Sequence, residues 1–329
     1  MARGSFFAIL KRPSILWPSA IATSFGIAFI IKDSLQGEVY KNPISQEGKV
    51  FIVTGANTGI GKETARDLAK RKGTVYMACR SLSKCEEARK EIILSSRNKN
   101  VYCRELDLTS FSSIKNFVKR FKAEQSRLDV LINNAGVMRC PKLVTNEGFE
   151  MQIGTNHLGH FLLTHLLLDY LKASSPSRIV TVSSIAHTRG EINTGDFNSE
   201  NSYDPKKVYE MSKLCNVLFT RELAKRLEGT NVTANALHPG IVDTELMRHM
   251  GIVNSFFGKI IVWPFLWMFS KNPYHGAQTT LYCALDPSLE KVSGEYFADC
   301  KKAEVADQAK DDKMALWLWK LSEKWCRIA

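Results

Sequence analysis

Tyr209 and Lys213 stand four residues apart in a segment of helical periodicity, so their side chains share one face. A free phenol titrates near about 10 and is a poor acid or base at neutral pH. A neighbouring ammonium favours the phenolate and lowers that value, which makes the pair a proton donor tuned toward working pH. Alone, Tyr-x-x-x-Lys is a weak signal. A second stretch adds a different chemistry. Thr54-Gly55-Ala56-Asn57-Thr58-Gly59-Ile60-Gly61 follows the apolar run Lys49-Val50-Phe51-Ile52-Val53 and opens a helical pattern. Strand, glycine-rich turn and helix form the context in which such glycines bind a dinucleotide. Gly55 allows the tight turn, Gly59 lets backbone approach a pyrophosphate, and Gly61 lets the helix pack close to the sheet. The helix N-terminus then offers free N–H groups and a positive dipole end to phosphates.

The elements that must carry these groups alternate. Strand-like segments are read at Thr74 to Cys79, Val101 to Leu106, Asp129 to Asn133, Arg178 to Ser183, Asn231 to Leu237 and Gly294 to Phe297. Helical segments are read at Ser83 to Ser96, Ser110 to Gln125, Gly148 to Leu171, Pro205 to Leu227 and Lys313 to Arg327. This alternation predicts an α/β fold with a doubly wound parallel sheet of Rossmann type in a single domain, preceded by an N-terminal apolar anchor segment. Ligands then lie beyond the carboxyl ends of the strands. The organisation reads as an anchor or targeting segment at 1–32, a linker at 33–47, a catalytic domain at 48–300 and a C-terminal amphipathic helix region at 301–329.

Three further motifs fall at strand ends. Asn133-Asn134-Ala135-Gly136 ends the fourth strand, Ser183-Ser184 the fifth, and His238-Pro239-Gly240 the sixth, followed by Thr244. In order and placement they resemble the short-chain dehydrogenase/reductase superfamily, over about residues 48 to 300. The resemblance implies that Ser184 and Tyr209 hydrogen-bond the substrate oxygen. Lys213 would bind the nicotinamide ribose and lower the Tyr209 pKa. Asn156 would hold a water in a proton relay to Lys213. Thr244 would meet the nicotinamide carboxamide, and Pro239-Gly240 would pack beside the ring. Asn57, Thr58 and Ile60 join the glycines of the turn, Asp107-Leu108 the adenine, and Asn133, Ala135 and Gly136 the cofactor. Alternate strand residues face opposite sides, so only one of Ser183 and Ser184 meets the substrate. Ser184, 25 residues before Tyr209, is the choice. That gap, together with Ala186-His187, Ser212-Lys213-Leu214, Met138-Arg139-Cys140-Pro141 and Gly148-Phe149-Glu150-Met151-Gln152, is similar to the retinol dehydrogenase branch.

Cys79-Arg80 ends the second strand, where an NAD enzyme usually has an acid for the ribose hydroxyls. No carboxylate there repels a 2′-phosphate, and Arg80 offers a planar, always-charged fork. NADP(H) is therefore expected, although Thr58 stands where many NADP-preferring relatives carry a basic residue. The apolar stretch from Ile252 to Phe269 suits a long apolar substrate better than a sugar or a charged acid. The combined reading is an NADP(H)-dependent oxidoreductase interconverting apolar aldehydes or ketones and alcohols, with all-trans-retinal and retinol in first place. One rival is a steroid or lipid-aldehyde reductase of the same fold. Another is a non-catalytic NADPH-binding regulatory scaffold, against which the intact Asn156, Ser184, Tyr209 and Lys213 set argues.

The 329 residues carry a net charge of +12, but the basic residues are spread along the chain, so no nucleic-acid site is read. Residues 1 to 32 contain no acid, and the 17-residue uncharged run Ile15 to Ile31 follows Arg3, Lys11 and Arg12. It reads as a membrane anchor. The resemblance implies the endoplasmic reticulum, with the mitochondrion as the alternative. The partners expected are an apolar, retinoid-like small molecule and a membrane, with a homodimer as a further option for the C-terminal helix. The eight cysteines show no metal-ligand spacing, so no metal is expected, and they read as buried free thiols.

Overall fold

The computed structural model describes residues 26–27, 29–246 and 267–328. Its centre is an eight-stranded sheet. In chain order the strands are β1 (Val50–Thr54), β2 (Thr74–Cys79), β3 (Val101–Glu105), β4 (Val130–Asn133), β5 (Ser177–Val182), β6 (Val232–Leu237), β7 (Tyr296–Ala298) and β8 (Lys301–Lys302). Their spatial order is β3-β2-β1-β4-β5-β6-β7-β8. All neighbours pair in parallel except β7 and β8, which are antiparallel. The strand order reverses between β1 and β4, and a crevice opens at such a switch point.

The helices are α1 (Gly59–Lys70), α2 (Leu82–Ser96), α3 (Phe111–Glu124), α4 (Gly159–Ala173), α5 (Pro205–Arg226), α6 (Pro273–Leu285) and α7 (Asp312–Cys326). They cover both faces. On β1, Val50 and Ile52 enter one core with residues of α3, α4, α5 and α7. Phe51 and Val53 enter the other with residues of α1, α2 and α6. This is the period-two consequence of a strand buried on both sides. Local chemistry sets the helix starts. Asp204 caps α5 by accepting from the Lys206 and Lys207 N–H groups, with Pro205 in the first turn.

Several expectations change. The long helix read from Gly148 begins at Met151, and its second turn, Gly154–Leu158, is a π-helix that runs straight into α4. Gly159 allows that turn to sit against β3's exit loop, because a Cβ there would lie 2.6 Å from the Leu108 carbonyl oxygen. Helix α6 was not read from the sequence, although Asn272-Pro273 is a start signal: Asn272 accepts from the His275 N–H at 2.9 Å. Cys85 of α2 and Cys103 of β3 are joined in a disulfide, so the reading of eight free thiols is corrected. Packing of α2 over β3 brings together two cysteines whose spacing carries no pairing signal. Most of the expected anchor, and residues 247–266 of the apolar stretch, lie outside the described residues. Among the described residues no helix is long and apolar enough to cross a membrane.

Asp129, buried in front of β4, ties the sheet's amino-terminal end together. It accepts from the Val50 N–H at 2.9 Å and pairs with Lys49, also at 2.9 Å, and with Arg127. Burial raises its pKa, but the bonds from Arg127, Val50 and Lys49 outweigh burial and hold the carboxyl below its ordinary value. A depressed carboxyl stabilises the fold above its unfolded pKa, and that stability is lost as pH falls through the folded value. Asp129→Ala should therefore cost about 2 kcal/mol at neutral pH. Urea unfolding checks this, and the difference from the wild-type protein should shrink below about pH 4.

Candidate active site

The turn between β1 and α1 is built by glycines where no other residue fits. Gly55 and Gly59 have φ of +65° and +55°. At Gly61 a Cβ would lie 2.5 Å from the Gly55 carbonyl oxygen, so the helix could not approach the turn. The cap residue Thr58 is extended and makes no side-chain cap bond, so the first N–H groups of α1 face the cleft without a side-chain acceptor. The cleft above, about 250 Å³, is bounded by the turn, by Ala135-Gly136 after β4 and by Thr244. A second hollow of about 140 Å³ continues it toward Asp107 and Leu108.

Thr54 holds these two loops in register. Its hydroxyl accepts from the N–H groups of Asn134 and Ala135, both at 2.9 Å, while Asn134 donates to the Thr54 carbonyl at 2.8 Å. The hydroxyl also faces the Ile132 carbonyl at 3.4 Å and, closer, His160 Nε2 at 2.9 Å, and His160 Nδ1 lies 3.1 Å from the Asn156 carbonyl. A ring nitrogen facing a carbonyl must carry the proton, so Nε2 accepts from Thr54. Burial pushes His160 down to about 4, with the Asn156 bond opposing and the Lys213 charge assisting, so the ring is neutral.

The reactive groups collect at the ends of β4 and β5. Ser184 follows β5 in extended backbone, and its side chain accepts from the Ala186 N–H at 3.1 Å. Tyr209 on α5 stands beside Ser184, which lowers the Tyr209 hydroxyl's pKa. Lys213, one turn on, is buried and donates to the Val182 carbonyl at 3.1 Å. Asn156 sits on the π turn. Its Oδ1 accepts from the Val137 N–H at 2.8 Å, and its Nδ2 donates to the Val137 carbonyl at 3.0 Å and to Ser212 Oγ at 2.9 Å. Gly136 stands between Asn156 and Lys213: a Cβ there would lie 3.2 Å from Asn156 Oδ1 and 3.6 Å from Lys213 Nζ. One irregular turn thus brings a single amide to Gly136, beside which Lys213 also lies, the kind of use to which π-bulges are put.

The electrostatics differ from the expectation at Tyr209. Burial raises its hydroxyl to about 12, against lowering by Ser184 and by the Arg139 charge. Lys213 is not among the groups that lower it. Its ammonium is turned to Val182, 5.8 Å from the Tyr209 ring centre, and burial brings its own pKa down to about 8. Tyr209 is thus a protonated donor at neutral pH.

Gly55, Asn57, Thr58, Gly59, Ile60, Gly61, Arg80, Ala135, Gly136 and Thr244 all line the first cleft, and Asp107 and Leu108 the second. Thr244 closes over the turn, its Cγ2 3.0 Å from where a Gly59 Cβ would be. Pro239 and Gly240 follow β6, with Gly240 at φ +85°. Asn133 is elsewhere: its amide is buried and donates to Thr164 on α4 at 2.9 Å, while Asn134 faces the cleft. Ser183 donates to the Lys213 carbonyl at 2.7 Å inside the fold, which leaves Ser184 as the serine beside Tyr209. Sequence reasoning missed Ser81 and Lys84, which line the cleft beside Arg80, and Thr155 in the second hollow. Lys84 was legible in the first turn of the helix that follows Arg80. Cys79, fully buried in the place of an acid, is pushed up to about 12 by burial and stays neutral.

Comparison with known proteins agrees with this geometry. The family profile described as short chain dehydrogenase matches residues 49–252. Retinol dehydrogenase 13 of Homo sapiens is 49% identical over 302 residues, covering 92% of this chain and 91% of that one. Retinol dehydrogenase 11 of Homo sapiens is 51% identical over 292 residues, covering 89% and 90%. A crystal structure of an uncharacterised protein from Mycobacterium paratuberculosis superposes with a TM-score of 0.71 at 36% identity, over 88% of this chain and 98% of that one. With its mostly parallel sheet, its glycine turn at the switch point and these relatives, the chain belongs to the short-chain dehydrogenase/reductase family and is an oxidoreductase closely related to retinol dehydrogenases.

Proposed function

We propose that the protein is an NADP(H)-dependent reductase of apolar aldehydes and ketones, with all-trans-retinal as the leading substrate, working through Asn156, Ser184, Tyr209 and Lys213. The observation that carries this reading is the placing of Tyr209 beside Ser184, with a buried lysine one turn on, at the edge of the glycine-lined cleft. A non-catalytic scaffold has no need of that combination.

The residues present fit a dinucleotide. The α1 N–H groups and the Gly59 backbone would hold the pyrophosphate, Asp107 and Leu108 the adenine, and Pro239, Gly240 and Thr244 the nicotinamide side. Arg80, exposed at the cleft rim, with Lys84 and Ser81 beside it, would take the 2′-phosphate. The bound reduced nicotinamide supplies hydride to the carbonyl carbon. Tyr209 donates its proton to the carbonyl oxygen as charge builds there. Ser184 donates a second hydrogen bond to the same oxygen, and both are worth most where water is excluded. Lys213 would hold the ribose hydroxyls, and Asn156, with its amide already fixed by Val137 and Ser212, would order the water that returns a proton.

Ile185, next to Ser184, is 45% exposed and Ile241, after Gly240, is 53% exposed, which supports an apolar substrate. A steroid or lipid-derived carbonyl is the second reading, and Arg139 favours it. Its charge reaches Tyr209, and its Nε is buried without a hydrogen-bond partner among the described residues. A substrate with a second oxygen would supply that acceptor. Membrane association, at the endoplasmic reticulum rather than the mitochondrion, is part of the proposal. It is supported by Ile27, Phe29 and Ile30, which are exposed at the end of the N-terminal apolar run.

Three measurements test the reading. The purified protein with NADPH or NADH, assayed against retinal, steroid ketones and medium-chain aldehydes, should reduce retinal fastest with NADPH. In that assay Tyr209→Phe should lower kcat by about 10³-fold or more while NADPH still binds, and substantial residual turnover would sink the mechanism. Arg80→Ala should lower NADPH affinity by about tenfold and leave NADH unchanged. An unchanged cofactor preference removes Arg80 from the assignment. Finally, a lysine with a pKa near 8 is charged below that pH and neutral above it. NADPH affinity should therefore fall as pH rises through about 8, and Lys213→Met should lose that dependence.

A further inference from the structure

We propose that Tyr296 and His187 form a brace that positions Ser184 against Tyr209, held in place by the chain that leads from β8 into α7. This rests on the reading that Ser184 and Tyr209 hold the substrate oxygen.

Ser184 lies on the link between β5 and the 3-10 helix Ile185–Arg189, with φ −160° and ψ 156°. Its carbonyl is the focus of three donors. The His187 N–H lies 3.0 Å away, His187 Nδ1 2.8 Å, and the Tyr296 hydroxyl 3.4 Å. Because Nδ1 faces a carbonyl it carries the proton, and Nε2 is the acceptor. The Ala306 N–H points at that Nε2 from 3.5 Å. His187 is completely buried, and burial lowers its pKa despite the Ser184 bond, so the neutral ring this pattern requires is the stable one. The buried polar atoms of two side chains thus converge on the backbone of a single residue, the serine beside Tyr209.

Tyr296 extends the brace to the other side of the site. Its ring centre is 4.7 Å from that of His187 and 5.9 Å from that of His238. His238 Nδ1 in turn accepts from the Gly240 N–H at 3.1 Å. One buried phenol therefore touches the imidazole that follows Ser184 and the imidazole that precedes Pro239-Gly240. From outside, the Ala303 N–H donates to the Tyr296 carbonyl at 2.8 Å, and Gln308 Nε2 donates to the carbonyls of Thr188 at 2.9 Å and Gly190 at 3.2 Å. Helix α7 anchors this strip on α5 through Asp312, which meets Arg221 at 2.6 Å and Lys225 at 2.8 Å. Ångström-scale displacement of a positioned group costs rate rather than affinity. His187 and Tyr296 are therefore positioning residues.

The test compares kcat for retinal reduction, the KM for retinal and NADPH binding by fluorescence quenching, in wild-type and Ser184→Ala backgrounds. His187→Leu should lower kcat by about tenfold or more, with KM and NADPH affinity within about twofold. His187→Asn, which returns a donor near Nδ1, should recover most of that loss. In Ser184→Ala, His187→Leu should add less than about a twofold loss, because the brace acts through Ser184. An undiminished loss in Ser184→Ala, or Asn as harmful as Leu, overturns the brace. If His187→Leu no longer binds NADPH, Tyr296→Phe carries the same comparison by removing one hydroxyl. Its expected loss is about threefold in wild type and none in Ser184→Ala. Full activity of Ser184→Ala itself would instead overturn the catalytic reading on which the brace rests.

Discussion

A lysine ammonium buried inside the fold and bonded to one strand-end carbonyl is the constraint around which the site is arranged. Lys213 meets Val182 at the last residue of β5, and Asn216, one turn along α5, donates to the same carbonyl at 3.2 Å. Burying a charge is costly unless neighbours compensate, and here burial has already brought the pKa to about 8. What surrounds the lysine is accordingly specific. Gly136 has no Cβ to crowd it, the π turn delivers Asn156 beside it, and Ser183 holds the Lys213 backbone to β5. Tyr209, one turn earlier on α5, is then carried to Ser184 by the same helix.

The sheet supplies what no single element can. Seven parallel strands end on one side, so loops far apart in sequence meet there. Thr54 shows how tightly they are joined: one hydroxyl closes β1, the loop after β4 and, through His160, the π turn that carries Asn156. Such a network is fully satisfied, which is the condition under which buried polar groups rigidify a fold rather than weaken it. The opposite end of the sheet has a purely structural counterpart in Asp129, whose charge is matched by Lys49, Arg127 and a backbone N–H. The two ends divide stability from chemistry.

Charge at the cleft follows the same economy. Cys79 places a neutral, buried group where a carboxylate would oppose a 2′-phosphate, and the cations Arg80 and Lys84 stand beside it at the rim. The helix terminus beyond Thr58 adds its dipole in the same direction. Tyr209, by contrast, is kept protonated by burial, which would suit the proton donor proposed for it.

How much was legible varies with how local the cause is. The α/β alternation, the glycine turn, the Tyr209–Lys213 face and the rule that only one of Ser183 and Ser184 meets the site follow from periods of two and 3.6 residues and from the steric needs of glycine, all of which are written in neighbouring residues. Helix α6 is equally local, its start written in Asn272-Pro273. Other features are invisible to spacing. The Cys85–Cys103 disulfide exists because α2 lies over β3. Asn133 turns to Thr164 and leaves Asn134 the cleft, because the chain bends at the end of β4. The proton affinity of Tyr209 is set by burial rather than by its sequence neighbour Lys213, since desolvation depends on everything packed around a group. Residue types and spacing determined by themselves which groups could react; the tertiary packing alone decided which way each one faces and how far it is removed from water, because those are properties of surroundings drawn from the whole chain.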